Sequence, residues 1–153
     1  MIYVECKPDF VLASLFVSKK GIIHAGNKSE VIKCLRKRNN CKGMIDEDPG
    51  HSQPSYLKEF NLVKESSNLG IKILRDKRNN YLIVLCPRLE EWILNSAKER
   101  KIDLEKDYRL PAEENKFHAV INANISKFEL LIKDLRNKSL RFKKLRECFE
   151  IEN

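Results

Sequence analysis

The first third of the chain alternates between short β-prone runs and short helix-patterned segments, and no other feature restricts the possible folds as strongly. Ile2-Tyr3-Val4 reads as a strand, and Asp9 to Val17 as an apolar helix opened near Pro8. Gly21 to Gly26 is a second buried strand. Asn27 or Ser29 caps a helix over Glu30 to Arg38, in which Val31, Ile32, Cys34 and Leu35 form an apolar stripe beside Lys33, Arg36, Lys37 and Arg38. Gly43-Met44-Ile45 is a third strand, running into Asp46. Strands joined by short helices need right-handed crossovers, which build an α/β fold with a parallel sheet.

The 153 residues suit a single domain, with a core over about residues 1–95 and a helical extension over about 116–150. An apolar fraction of 42% supports a packed interior, and 34% charged residues gives a highly charged surface. A formal charge of +8 favours a polyanionic partner such as nucleic acid, because basic side chains neutralise phosphates and release their counterions. Cys6, Cys34, Cys41, Cys86 and Cys148 are odd in number and form no CxxC pair, so the expected home is a reducing cytoplasm. Lys and Arg interrupt every hydrophobic stretch, so neither a signal peptide nor a membrane-spanning run is expected.

Beyond Gly50 the pattern loosens. His51 to Pro54 reads as polar loop, and Tyr56, Leu57, Phe60 and Leu62 suit a short helix. Ile71 to Leu74 and Tyr81 to Leu85 flank a turn at Asn79-Asn80, which predicts a hairpin. Arg88 to Arg100 is expected to be helical, and Asp103 to Asn115 a charged loop. Ile125 to Phe149 reads as one amphipathic helix. From Lys127 to Glu147 it carries eight basic and three acidic residues, a net of +5.

The acids are placed unevenly. Asp46 and Asp48 end the third strand two residues apart, so both side chains face one way. Glu5 follows the first strand, with Asp9 one helical turn later. In a parallel sheet the carboxyl ends of the strands share the edge where α/β folds place ligands, so these acids should meet. Carboxylates gathered in this way can hold Mg²⁺ or Mn²⁺, which takes one or two protein carboxylates together with waters and substrate phosphate oxygens.

Val4-Glu5-Cys6 after the first strand and Asp46-Glu47-Asp48 after the third resemble the pattern of the Toprim domain. That domain occurs in topoisomerases, primases, recombination proteins, and nucleases of the small-ribonuclease and overcoming-lysogenization-defect types. The resemblance covers about residues 1–60. It implies a Rossmann-like three-layer sandwich around a central, mainly parallel sheet of about four strands, here followed by the C-terminal amphipathic helix. It also implies that Glu5, Asp46 and Asp48 are catalytic, with Glu5 as acid/base or metal ligand. Asp46 and Asp48 then form the metal-binding pair, Asp9 is an added acid, and Glu91 is a late glutamate completing the site. Two positions depart from the family pattern: Cys6 stands where glycine is usual, and Pro49-Gly50 follows the D-x-D at a tighter spacing.

Among the cations, Lys28 precedes a helix start and could receive a phosphate, while His24 could contact phosphate or simply pack at the strand end. Lys138, Arg141, Lys143 and Lys144 on the C-terminal helix are expected to track a nucleic-acid backbone. The reading expected from the sequence is a small metal-dependent nuclease acting on DNA or RNA, with a protein partner or a second copy of the chain left open. A non-catalytic nucleic-acid-binding or partner-docking module is the alternative, and phosphoryl transfer to a small nucleotide a third possibility.

Overall fold

The computed structural model describes residues 1–152. β1 (Ile2–Val4), β2 (Ile22–His24) and β3 (Lys42–Asp46) alternate with α1 (Lys7–Ala13) and α2 (Lys28–Arg36). β4 (Asn61–Ser66), β5 (Ile71–Arg75) and β6 (Tyr81–Leu85) follow, and then come α3 (Leu89–Glu99), α4 (Leu104–Tyr108), α5 (Glu114–Ala123), α6 (Ile125–Arg136) and α7 (Leu140–Glu150). All six strands form one sheet in the order β2-β1-β3-β6-β5-β4. The pairs β1/β2, β1/β3 and β3/β6 are parallel, whereas β5/β6 and β4/β5 are antiparallel. The fold is therefore α/β with a mixed six-stranded sheet, compatible with a Rossmann-like arrangement. This corrects the expected sheet of about four mainly parallel strands.

Side chains alternate across the sheet as the pleat demands. Ile2, Val4, Met44, Ile83 and Leu85 face one side, where α1, α3 and the C-terminal helices pack. Tyr3, Ile45, Leu82 and Val84 face the other, against Val31, Ile32 and Leu35 of α2. Phe117, Ile121, Phe128, Leu131, Phe142 and Leu145 belong to the same cluster as the sheet's first face, so α5 to α7 help to build that core.

Four segments differ from the sequence expectation. The helix expected around Tyr56 to Leu62 is a 3-10 turn over Ser55–Glu59, after which the chain enters β4. The charged segment after Asp103 holds the short α4, capped by the Asp103 carboxylate, which accepts from the Lys106 N–H at 3.0 Å. Tyr81 to Leu85 does pair with Ile71 to Arg75, but it also joins β3, so it extends the parallel part of the sheet. The long C-terminal helix is broken at Asn137-Lys138-Ser139, where the Ser139 hydroxyl accepts from the Arg141 N–H and starts α7 anew.

Gly70, between β4 and β5, sits at φ +62, and a Cβ there would lie 2.8 Å from the Cys86 carbonyl oxygen. Neither the left-handed backbone nor that carbonyl yields cheaply. Gly70→Ala is expected to destabilise the fold by about 2–3 kcal/mol, read as a lowered urea midpoint with unchanged slope. A loss below about 0.5 kcal/mol would contradict this account of the turn.

Candidate functional site

The sheet order contains a topological switch point. From β1 the chain crosses through α1 to β2 on one side, and it then returns through α2 on the opposite face to β3 on the other. Adjacent strands whose connections diverge leave a crevice at their carboxyl ends. Those strands are β1 and β3. Glu5 follows the first, and Asp46 ends the second.

Glu5 reaches across this crevice, its Oε1 accepting from the Asp46 N–H at 2.8 Å. Asp46 turns its Oδ1 to the Leu89 N–H at 3.0 Å and so caps the N-terminus of α3. Asp9 lies in the first turn of α1 and accepts from both the Cys6 N–H and the Cys6 thiol at 3.0 Å. A capping box of this kind fixes the helix start and points a carboxylate into the crevice. Glu5, Asp9, Asp46 and Asp48 line one cleft of about 580 Å³, together with Glu90, Arg88, His51 and His118.

Crowded, half-desolvated acids cannot all ionise at ordinary pH. Burial pushes Asp46 up to about 9, and Asp9, Glu5, Glu90 and Asp48 add to the shift. Asp9, only 3% exposed, is raised to about 7, chiefly by burial and further by Glu5 and Glu90, although the Cys6 hydrogen bonds oppose the rise. Glu5 is also raised by burial, in part offset by the Asp46 N–H and by Lys28. Burial, with Asp9 beside it, drives the Cys6 thiol far above its ordinary value, so Cys6 serves as a hydrogen-bond donor and not as a nucleophile.

Asp48 is held differently. Its backbone is left-handed at φ +49, one oxygen pairs with Lys28 Nζ at 2.9 Å, and the other accepts from Arg88 Nε at 3.1 Å. Lys28 also donates to the Glu47 carbonyl and to Gln53, both at 3.2 Å, and its side chain is only 11% exposed. It therefore pins the D-x-D loop, so its ammonium is committed within the protein. Among the described residues, no group of three or more His, Cys, Asp or Glu side chains is arranged to hold a metal ion.

Several expected site residues lie elsewhere. Glu91 turns to Arg88 at 3.4 Å, while its neighbour Glu90 lines the cleft and contacts the His118 ring. The apolar stripe of α3 carried this signal: Glu90 shares its face with buried Ile93 and Ala97, three and seven residues on. Arg88 and His118 were missed because each becomes relevant only through a remote partner, Asp48 and Glu90 respectively. His24 is exposed at the end of β2 and does not line the cleft. Arg141, expected to face nucleic acid, is 8% exposed and bonds to Glu99 at 2.8–2.9 Å and to the Asn68 carbonyl at 3.3 Å. Lys144 pairs with Glu147 at 2.7 Å, whereas Lys138 and Lys143 are exposed.

Comparison with protein-family models, with curated proteins and with solved structures returned no match. Among the described residues, no helix is long and apolar enough to cross a membrane.

Proposed function

We propose that the chain is a metal-dependent nuclease of Toprim-like character, cleaving phosphodiester bonds of DNA or RNA with Mg²⁺ or Mn²⁺. One observation carries this reading: Glu5, Asp9, Asp46 and Asp48, from two separate strand ends and a helix start, line a single cleft at the switch point of the sheet. The donors are hard carboxylate oxygens, which fit these cations, and Mg²⁺ needs only one or two of them when water and substrate phosphates complete its shell. Asp46, with one oxygen on the Leu89 N–H, would hold it together with one of its neighbours Asp9 and Glu5. A divalent ion there would neutralise phosphate charge and make a bound water more acidic.

The chain's own groups supply the rest. Lys28 and Arg88 clamp Asp48 from both sides and hold the D-x-D loop against the edge. Glu5 is placed to exchange a proton with a group in the crevice, and burial raises its proton affinity.

The test uses plasmid DNA and structured RNA with Mg²⁺ or Mn²⁺, comparing the wild type with Asp46→Ala/Asp48→Ala. Cleavage by the wild type alone supports the proposal, and intact substrates in both samples sink it.

The alternative of a non-catalytic nucleic-acid-binding or partner-docking module is favoured by one fact, that both oxygens of Asp48 are already engaged by cations. Salt-sensitive binding that persists in the double variant, without cleavage, would select that alternative.

A further inference from the structure

A second concavity, of about 540 Å³, is lined by four side chains, and all are basic: Lys33, Arg36 and Lys37 from α2, and Arg78 from the β5–β6 turn. Two of the four are pre-positioned by neighbours. The Arg36 guanidinium lies 5.9 Å from the centre of the Tyr56 ring, and Arg78 donates to the Asn39 side chain at 3.4 Å. Two acids lie near these four cations, so the hollow keeps a net positive charge. Glu30 pairs with Lys33 at 2.6 Å, but Asp76 is 5% exposed and turned inward, where it accepts from the Tyr56 hydroxyl and the backbone N–H groups of Arg78 and Asn80. Arg36 and Lys37 have no carboxylate partner among the described residues.

This arrangement differs from a solvated helix face. A charge-paired surface would carry acids spaced among the bases, whereas this hollow gathers cations from two elements more than forty residues apart in sequence. An anion with several charges would relieve the repulsion that solvent screening leaves between them. Its lining offers no apolar side chain to anchor a polypeptide. Guanidinium forks suit phosphate oxygens.

We propose that this concavity docks the phosphate backbone of a nucleic-acid strand, as a site separate from the acidic cleft. The choice of nucleic acid over other polyanions rests on the nuclease reading. Helix α2 joins the two places: Lys28 at its start holds the D-x-D loop, and Arg36 at its end lies about 12 Å away along the axis. A strand lying along the helix would pass from one place to the other. The strand is thus gripped beyond the acids, on α2 and the β5–β6 turn.

The experiment is fluorescence anisotropy of a labelled single strand of about 20 nucleotides, titrated with the full chain in EDTA at several salt concentrations. Arg36→Gln/Lys37→Gln/Arg78→Gln is expected to weaken binding at least about tenfold and to flatten the plot of log affinity against log salt by about 2. Lys33→Gln/Lys37→Gln alters only exposed side chains, so it guards against misfolding, and its slope should fall by about 1. Lys98→Gln/Arg100→Gln/Lys101→Gln removes the same charge elsewhere and should leave the slope within about 0.5 of wild type. An unchanged slope in both α2 variants, or an equal fall in the charge-matched control, overturns the proposal. Displacement of the strand by polyglutamate at matched charge would assign the hollow to an acidic protein and also overturn it. Cleavage is not read and metal is chelated, so failure of the nuclease reading and failure of this one remain distinguishable.

Discussion

Asp46→Asn is expected to abolish divalent-ion-dependent cleavage, by on the order of a thousandfold, and at the same time to raise the melting temperature of the metal-free protein at pH 8. The two effects share a cause. Asp46 is buried among Asp9, Glu5 and Glu90, which lifts its carboxyl to about 9, against about 4 in an unfolded chain. Between those values the folded state binds a proton that the unfolded state releases. Stability is therefore fully present below about pH 4 and is lost as pH climbs toward 9. Asparagine keeps an oxygen for the Leu89 N–H but carries no charge, so its advantage should grow from pH 5 to pH 8.

Asp9, raised to about 7, adds a loss of the same sign over a narrower window. Mg²⁺ or Mn²⁺ should stabilise the wild type, more at pH 8 than at pH 5, and should leave Asp46→Asn nearly unmoved. Melts by circular dichroism at three pH values, with and without metal, decide the matter. A variant that melts below wild type at pH 8, or that gains as much from metal, would remove the basis for assigning Asp46 to the cation.

Trp92→Ala should be the most damaging single change to the fold, at about 4 kcal/mol. The side chain is fully buried, its ring centre lies 5.1 Å from that of Phe142, and its Nε1 donates to the Leu69 carbonyl at 2.9 Å. Arg141 of α7 reaches the same turn through Asn68. Trp92 therefore binds α3, α7 and the β4–β5 turn into one unit. With total stabilities of 5–15 kcal/mol usual for such domains, this loss takes a large share. Trp92→Phe should recover most of the packing and forfeit the hydrogen bond, leaving a deficit of about 1–2 kcal/mol. Urea unfolding followed by circular dichroism measures both variants, since the chain's single tryptophan is gone. A cost below about 1 kcal/mol for the alanine variant would show that α3 is held elsewhere.

The parts of the site that were legible in the sequence are those governed by local rules. Strand alternation placed Glu5 and Asp46 at neighbouring strand ends, and Pro8 and Asn27 marked the helices between. Other parts were hidden for identifiable reasons. β4 is exposed along almost its whole length, so it carries no burial pattern, and only pairing with β5 makes it a strand. The break before α7 rests on a single hydroxyl cap, and the apolar spacing on either side is nearly continuous across it. Arg141 looks like its basic neighbours, yet Glu99, forty-two residues away in the chain, draws it inward.

What the sequence determined by itself is the alternation of elements, the excess of positive charge and the presence of acids at two strand ends, because periodicity and composition act over a few residues. Only the tertiary structure decided which charges are free. It paired Asp48 with Lys28 and Arg88, chose Glu90 over Glu91 for the cleft, and left four cations on α2 and the β5–β6 turn around one hollow. Whether a charged group is spent inside the protein or offered outside depends on partners that the chain brings together from far apart.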